Sequence, residues 1–177
     1  AASDVYKRQV YSRLQRAGVP ITFSSYFGYQ QKDLKGKHIA GSDEHLLKAV
    51  LRDSTAITCL PLTLAYENNA TRAGLTIIPV DLNNNGKVTV DENIYADLQQ
   101  VVRLLEAKKK NELTNMPMGY LHFSVSKTNP NRAALEFLHW VIQNGQDDLH
   151  QFGYLLPEPD RLQKESFEKF MLGSVEQ

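Results

Sequence analysis

The chain has 177 residues, 42% of them hydrophobic and 23% charged, enough apolar material for a folded core and too much for a disordered tail. Twenty Lys plus Arg cancel twenty Asp plus Glu, so no global field draws it to nucleic acid or to an acidic membrane surface. The single cysteine, Cys59, excludes an internal disulfide and a Cys-based zinc cluster, and its place in the run AITCL suits a small hydrophobe better than a nucleophile.

The opening SDVYKRQ resembles the conceptual translation of a sequencing adaptor, so residues 1–9 are expected to be an artefact and are set aside from the fold. Residues 11–16 read as the end of a helix stopped by Gly18 and Pro20, and the aromatic stretch 22–29 as a packed loop. A short strand is expected over 37–40. Gly41 and the N-cap Ser42 follow it, then a helix with Asp43 and Glu44 in its first turn and Leu46, Leu47, Val50 and Leu51 on one face. Strands are expected near 56–60 and 75–80, with a polar stretch between them. Ile94, Leu98, Val101, Val102 and Leu105 predict a long amphipathic helix ended by the lysines at 108–110. Residues 119–126 read as a strand. The next helix carries Leu135, Leu138, Val141 and Ile142, with Asn129 as cap, Pro130 at its first position and Asn144-Gly145 as its stop. A last helix is expected from Asp160, with Gln163 completing a capping box. Alternation of strands and helices predicts an α/β architecture, and no segment reaches the ~20 apolar residues of a membrane helix.

The sharpest chemical signal is DLNNNGKVTVDE at 81–92, which meets every fixed position of the EF-hand calcium loop. Calcium takes six to eight hard oxygens. Asp81, Asn83 and Asn85 would offer side chains, Lys87 its carbonyl, Thr89 a hydroxyl or a water, and Glu92 a bidentate carboxylate, while Gly86 allows the sharp turn. With two charged ligands the site suits the weak, extracellular end of the calcium range. The same residues also form a turn signal, Thr89 and Glu92 are spaced as a capping box, and the segment entering the loop reads as a strand where an EF-hand has a helix. Gly41 and Ser42 open a helix after a strand, a place that favours an anion, although Asp43 would repel one and a plain cap has the same sequence. The five histidines show no metal spacing, and His139 beside Trp140 reads as a packed or surface residue. No phosphate loop, nucleophile elbow or His-Glu-x-x-His is present, and no enzyme activity is expected.

Two stretches together resemble a family. Residues 36–66, GKHIAGSDEHLLKAVLRDSTAITCLPLTLAY, and the series PMGYLHFSV at 117–125, AALEFLHWVIQNGQ at 133–146 and FGYLLP at 152–157 look like the late segments of phosphate-binding proteins of ABC transporters. The resemblance implies part of a type 2 periplasmic-binding-protein fold, a mixed sheet flanked by helices. Residues 10–115 would belong to the second lobe and carry the calcium-like loop. Residues 116–177 would supply a returning strand and C-terminal helices of the first lobe. It further implies a C-terminal portion of a periplasmic or extracellular protein, membrane-anchored through an N-terminus beyond this chain. That protein would capture phosphate or a similar oxyanion, without an enzyme activity, and deliver it to membrane subunits. The Ser-Gly-Thr loop and the arginine of that family have no counterpart here, so the anion grip is expected in the preceding portion. The alternative reading is a calcium-stabilised extracellular adhesion or carbohydrate-binding module. A calcium-dependent hydrolase ranks below both, because no acid and base pair stands out.

Overall fold

A computed structural model describes residues 8–107, 116–126 and 131–157. The expected lysine end at 108–110, the cap at Asn129 and Pro130 and the helix from Asp160 lie outside the described residues. The chain divides into two units, residues 1–119 and residues 120–177.

The first unit is mixed α/β. It opens with β1 (Gln9–Arg13), α1 (Gly18–Tyr26), β2 (Lys37–Ile39), α2 (Asp43–Val50) and β3 (Ala56–Ile57). The strands form a parallel sheet in the order β2-β1-β3. Tyr11 pairs with Lys37 and Arg13 with Ile39 on one side of β1, and Gln9 with Ala56 on the other. Here the structure corrects the sequence reading. Residues 11–13 are a strand end followed by a bend, where a helix end was expected, and the strand begins at Gln9. A strand paired on both sides gains from β-prone Val10 and Tyr11 what five residues of weak helical pattern cannot supply. The stretch expected as an aromatic loop is largely α1, and Pro20 sits in its first turn, where a missing N–H costs nothing. The expected strand near 37–40, the cap at Ser42 and the helix after it are present as β2 and α2, and the strand expected near 56–60 is the two-residue β3.

Alternation along β1 turns Tyr11 and Arg13 to the face that carries α2. The Tyr11 hydroxyl donates to Asp53 Oδ2 at 2.7 Å, just beyond the helix end, and Arg13 Nη1 meets Asp43 Oδ1 at 2.6 Å in the first turn. Lys37 of β2 donates to the Tyr11 oxygen at 2.9 Å, and Thr55 donates its N–H and hydroxyl to Asp53 Oδ1 at 2.9 and 2.7 Å. Asp53 thus ties β1, β2 and the turn into β3 together. Gly36 has φ +136°, and a Cβ there would lie 2.3 Å from the Val10 carbonyl oxygen, so the loop before β2 presses backbone on backbone.

The rest of the unit is α3 (Leu62–Ala65), the hairpin β4 (Tyr66–Glu67) and β5 (Ala70–Thr71), and α4 (Leu98–Ala107). Asn68 and Asn69, at φ 50° and 66°, form the two-residue turn, a conformation asparagine tolerates. The hairpin falls in the stretch read only as polar. Conversely, the strand expected at 75–80 forms no ladder among the described residues, although it alternates half-buried Leu75 and Ile77 with exposed Thr76 and Ile78. The helix expected from Ile94 starts at Leu98, because Asp97 caps it through Gln100 N–H at 3.0 Å and Asn69 adds a bond from Gln99 N–H at 3.0 Å. Leu98, Val101, Val102 and Leu105 are all buried, joined in the core by Tyr66, Leu82 and Tyr95. The Tyr66 hydroxyl donates to the Tyr95 carbonyl at 2.8 Å.

In the second unit, residues 120–126 run without a ladder, so the strand expected at 119–126 is not formed among the described residues. Helix α5 (Arg132–Asn144) is present with the expected stop, and its cap is Asn131, whose side chain accepts Ala134 N–H. None of its residues is buried, and Phe137 and Trp140 stack in the open with centroids 6.5 Å apart. No helix among the described residues is long and apolar enough to cross a membrane.

The Thr55 hydroxyl first, and the Tyr11 hydroxyl next, hold the Asp53 carboxyl down from 3.8 to about 2. A carboxyl lowered by folding contributes stability that is complete above its unfolded value and is lost as pH falls from 3.8 through about 2. Asp53→Asn is therefore expected to flatten the pH dependence of chemical denaturation in that window, while wild type loses stability across it. Identical slopes for the two proteins would exclude this role.

Candidate functional site

In the order β2-β1-β3 the chain leaves β1 toward one side of the sheet and later returns to pair on the other. In open α/β sheets such a reversal leaves a crevice beyond the carboxyl ends of the strands, where ligands bind. Arg13 ends β1 there, and Gly41 and Ser42 follow β2 into the N-terminus of α2. Gln31 braces the loop after β1: its Nε2 donates to the carbonyls of Arg13 and Gln15 at 3.2 and 2.9 Å, and its Oε1 accepts Ala17 N–H at 3.2 Å. Gly41 N–H donates to Gln15 Oε1 at 3.2 Å, and Ser42 N–H donates to His45 Nδ1 at 3.2 Å.

The two residues expected to hold an anion, Gly41 and Ser42, therefore lie at the carboxyl edge, but their amides are already engaged by Gln15 and His45. Asp43 and Glu44 occupy the first turn as well. The Ser42 hydroxyl, followed by the backbone N–H of Glu44 itself, draws the Glu44 carboxyl below its ordinary value. An anion at this terminus would compete with side chains already in place. Sequence reasoning missed Arg13, Gln15, Gln31 and His45. Only His45 had a usable signal, as the third helical residue after a serine cap; the glutamines act through bends in the chain that leave no local mark.

The calcium-pattern loop at 81–92 folds around its own oxygens. Asp81 Oδ1 accepts Asn85 N–H at 3.2 Å and Oδ2 accepts Gly86 N–H at 2.7 Å. Asn83 Oδ1 accepts Asn85 N–H at 3.0 Å, and Asn85 Oδ1 accepts Lys87 N–H at 2.9 Å. Each of these oxygens keeps a second lone pair. Glu92 differs. Its Oε1 accepts Leu82 and Asn83 N–H at 2.8 and 3.0 Å, and its Oε2 accepts Thr89 N–H and hydroxyl at 2.8 and 3.0 Å. Four donors fill the four lone-pair sites of that carboxylate, and the Thr89 N–H, more than the others, lowers its pKa. The capping-box spacing of Thr89 and Glu92 is realised in a short 3-10 turn, Val90–Glu92. Asp81, Asn83 and Asn85 thus keep lone pairs beyond those that accept the loop N–H groups. Glu92 would have to release loop amides to become bidentate, and Lys87 would contribute its backbone carbonyl. Among the described residues no group of three His, Cys, Asp or Glu gathers as a metal cluster. Cys59 is half-buried and burial pushes its thiol up to about 11, as befits an apolar filler and not a thiolate nucleophile.

Gly41 has φ +101°, and a Cβ would lie 2.9 Å from the His45 ring. Gly41→Ala is expected to cost about 1–3 kcal/mol in denaturant unfolding. The double variant with His45→Ala should recover the steric part of that loss and leave the backbone part. Comparison with known protein families, with curated proteins and with solved structures finds no match to this chain.

Proposed function

We propose that this chain is part of an extracytoplasmic solute-binding protein that captures phosphate or a similar oxyanion for an ABC transporter. The observation that supports the reading is the parallel order β2-β1-β3, the open α/β arrangement whose carboxyl edge is where such folds take ligands. Its finer form, a partial type 2 periplasmic-binding-protein fold, rests on the resemblance of residues 36–66 and 117–157. Exposed apolar side chains support a place in a larger structure. Val10 of β1, Leu14 just past its end, and Tyr120, Leu121, Phe123 and Val125, in a stretch that forms no ladder among the described residues, are exposed apolar side chains of the kind a larger structure covers. Lobe closure over the anion would present the complex to membrane subunits.

Equilibrium dialysis with labelled phosphate tests the reading on this chain and on the longer natural protein that contains it. Saturable binding is expected from the longer protein and little from the 177-residue chain. Tight binding by the chain alone would overturn the placing of the grip elsewhere. Absence of binding by both would overturn the oxyanion reading.

A second reading, a calcium-stabilised extracellular module, is favoured by the EF-hand pattern at 81–92 and the lone pairs that the Asp81, Asn83 and Asn85 oxygens keep. Calcium at about 10⁻⁴–10⁻³ M is expected to raise the thermal unfolding midpoint, and Asp81→Ala to abolish the rise. An unchanged midpoint in that range would sink the calcium site.

A further inference from the structure

We propose that Asn85-Gly86 is a self-modifying site, at which the Gly86 amide nitrogen attacks the Asn85 side-chain carbonyl and Asp81 accepts the amide proton. Three groups that such a reaction needs are together in the loop. Gly86 is the nucleophile, at φ +81° with no heavy atom within 4 Å of the place a Cβ would take, so no side chain of its own or of a neighbour shields its Cα side of the peptide. Its N–H already points at Asp81 Oδ2, 2.7 Å away, in the position of a general base. Asn85 Oδ1 accepts Lys87 N–H at 2.9 Å, a donor aimed at the oxygen on which negative charge develops. Asn85 is itself exposed, which leaves its amide nitrogen open to solvent as the leaving group.

The atoms balance with water as the only co-reactant. The Gly86 nitrogen forms a bond to Asn85 Cγ, and the carbonyl electrons move to Oδ1. Collapse of that adduct expels Nδ2 as ammonia, which takes the proton passed through Asp81. Water then opens the cyclic imide at either carbonyl and leaves a normal or an isoaspartyl linkage at position 85. The product adds a carboxylate to the loop beside Asp81 and Glu92. The reaction itself requires no cation and is independent of the oxyanion and calcium readings.

The molecule contains its own comparison. Asn144-Gly145 is the same dipeptide, but Gly145 is buried and its N–H is donated to the Val141 carbonyl at 3.1 Å at the end of α5, with no carboxylate in that place. The native protein, held in chelator and in water labelled with heavy oxygen, is digested and mapped by mass spectrometry over time. The same chain in guanidinium serves as reference. Label is expected at Asn85 at least about tenfold faster in the native protein than in the denatured chain, and faster than at Asn144. Native Asn85 reacting at or below its denatured rate, or no faster than Asn144, would overturn the proposal. Asp81→Asn should bring the Asn85 rate down to the denatured value, and an unchanged rate would remove Asp81 as the proton acceptor.

Discussion

The pairing of β1 on both of its edges is the constraint on which the first unit depends. A parallel sheet cannot be closed by hairpins, so β2 and β3 reach β1 only through α1 and α2, and each crossover has to be pinned where it starts and ends. Arg13 pins the start of α2 through Asp43, and Tyr11 pins the region beyond its end through Asp53, from the same face of one five-residue strand. Much of the ordering of the unit runs through these few polar contacts, which compensate for strands only two to five residues long.

Glu92 plays a corresponding part for the long loop. It is 5% exposed, and among the described residues its charge is answered by loop amides and the Thr89 hydroxyl. Leu82, beside it, is buried with Tyr95 and Leu98, so the loop is fastened to the core at both ends while its tip, residues 83–87, stays open. A tip that is free but shaped by its own hydrogen bonds accommodates cation binding and side-chain chemistry alike, because neither requires the core to move.

The two units differ in how their apolar residues are spent. In the first, α4 buries its whole apolar stripe. In the second, α5 has the same helical spacing with no buried residue, and the β-prone segment before it has no ladder. Periodicity specifies which face of an element wants cover, and it is silent on what covers it.

Local signals written within one or two turns were legible from the residues alone: the α/β class, β2, the Ser42 cap, α2, the stop of α5 and the Thr89–Glu92 box all depend on neighbours three or four positions apart. The tertiary structure decided the rest. It made a strand of residues 9–13, because pairing at both edges outweighs weak local propensity, and among the described residues it built no ladder from 75–80 or 119–126, because a strand needs a neighbour that no local pattern can promise. It also brought Gln15 and Gln31 onto the carboxyl edge and filled the Gly41 and Ser42 amides, contacts across up to 26 residues of chain that only folding creates.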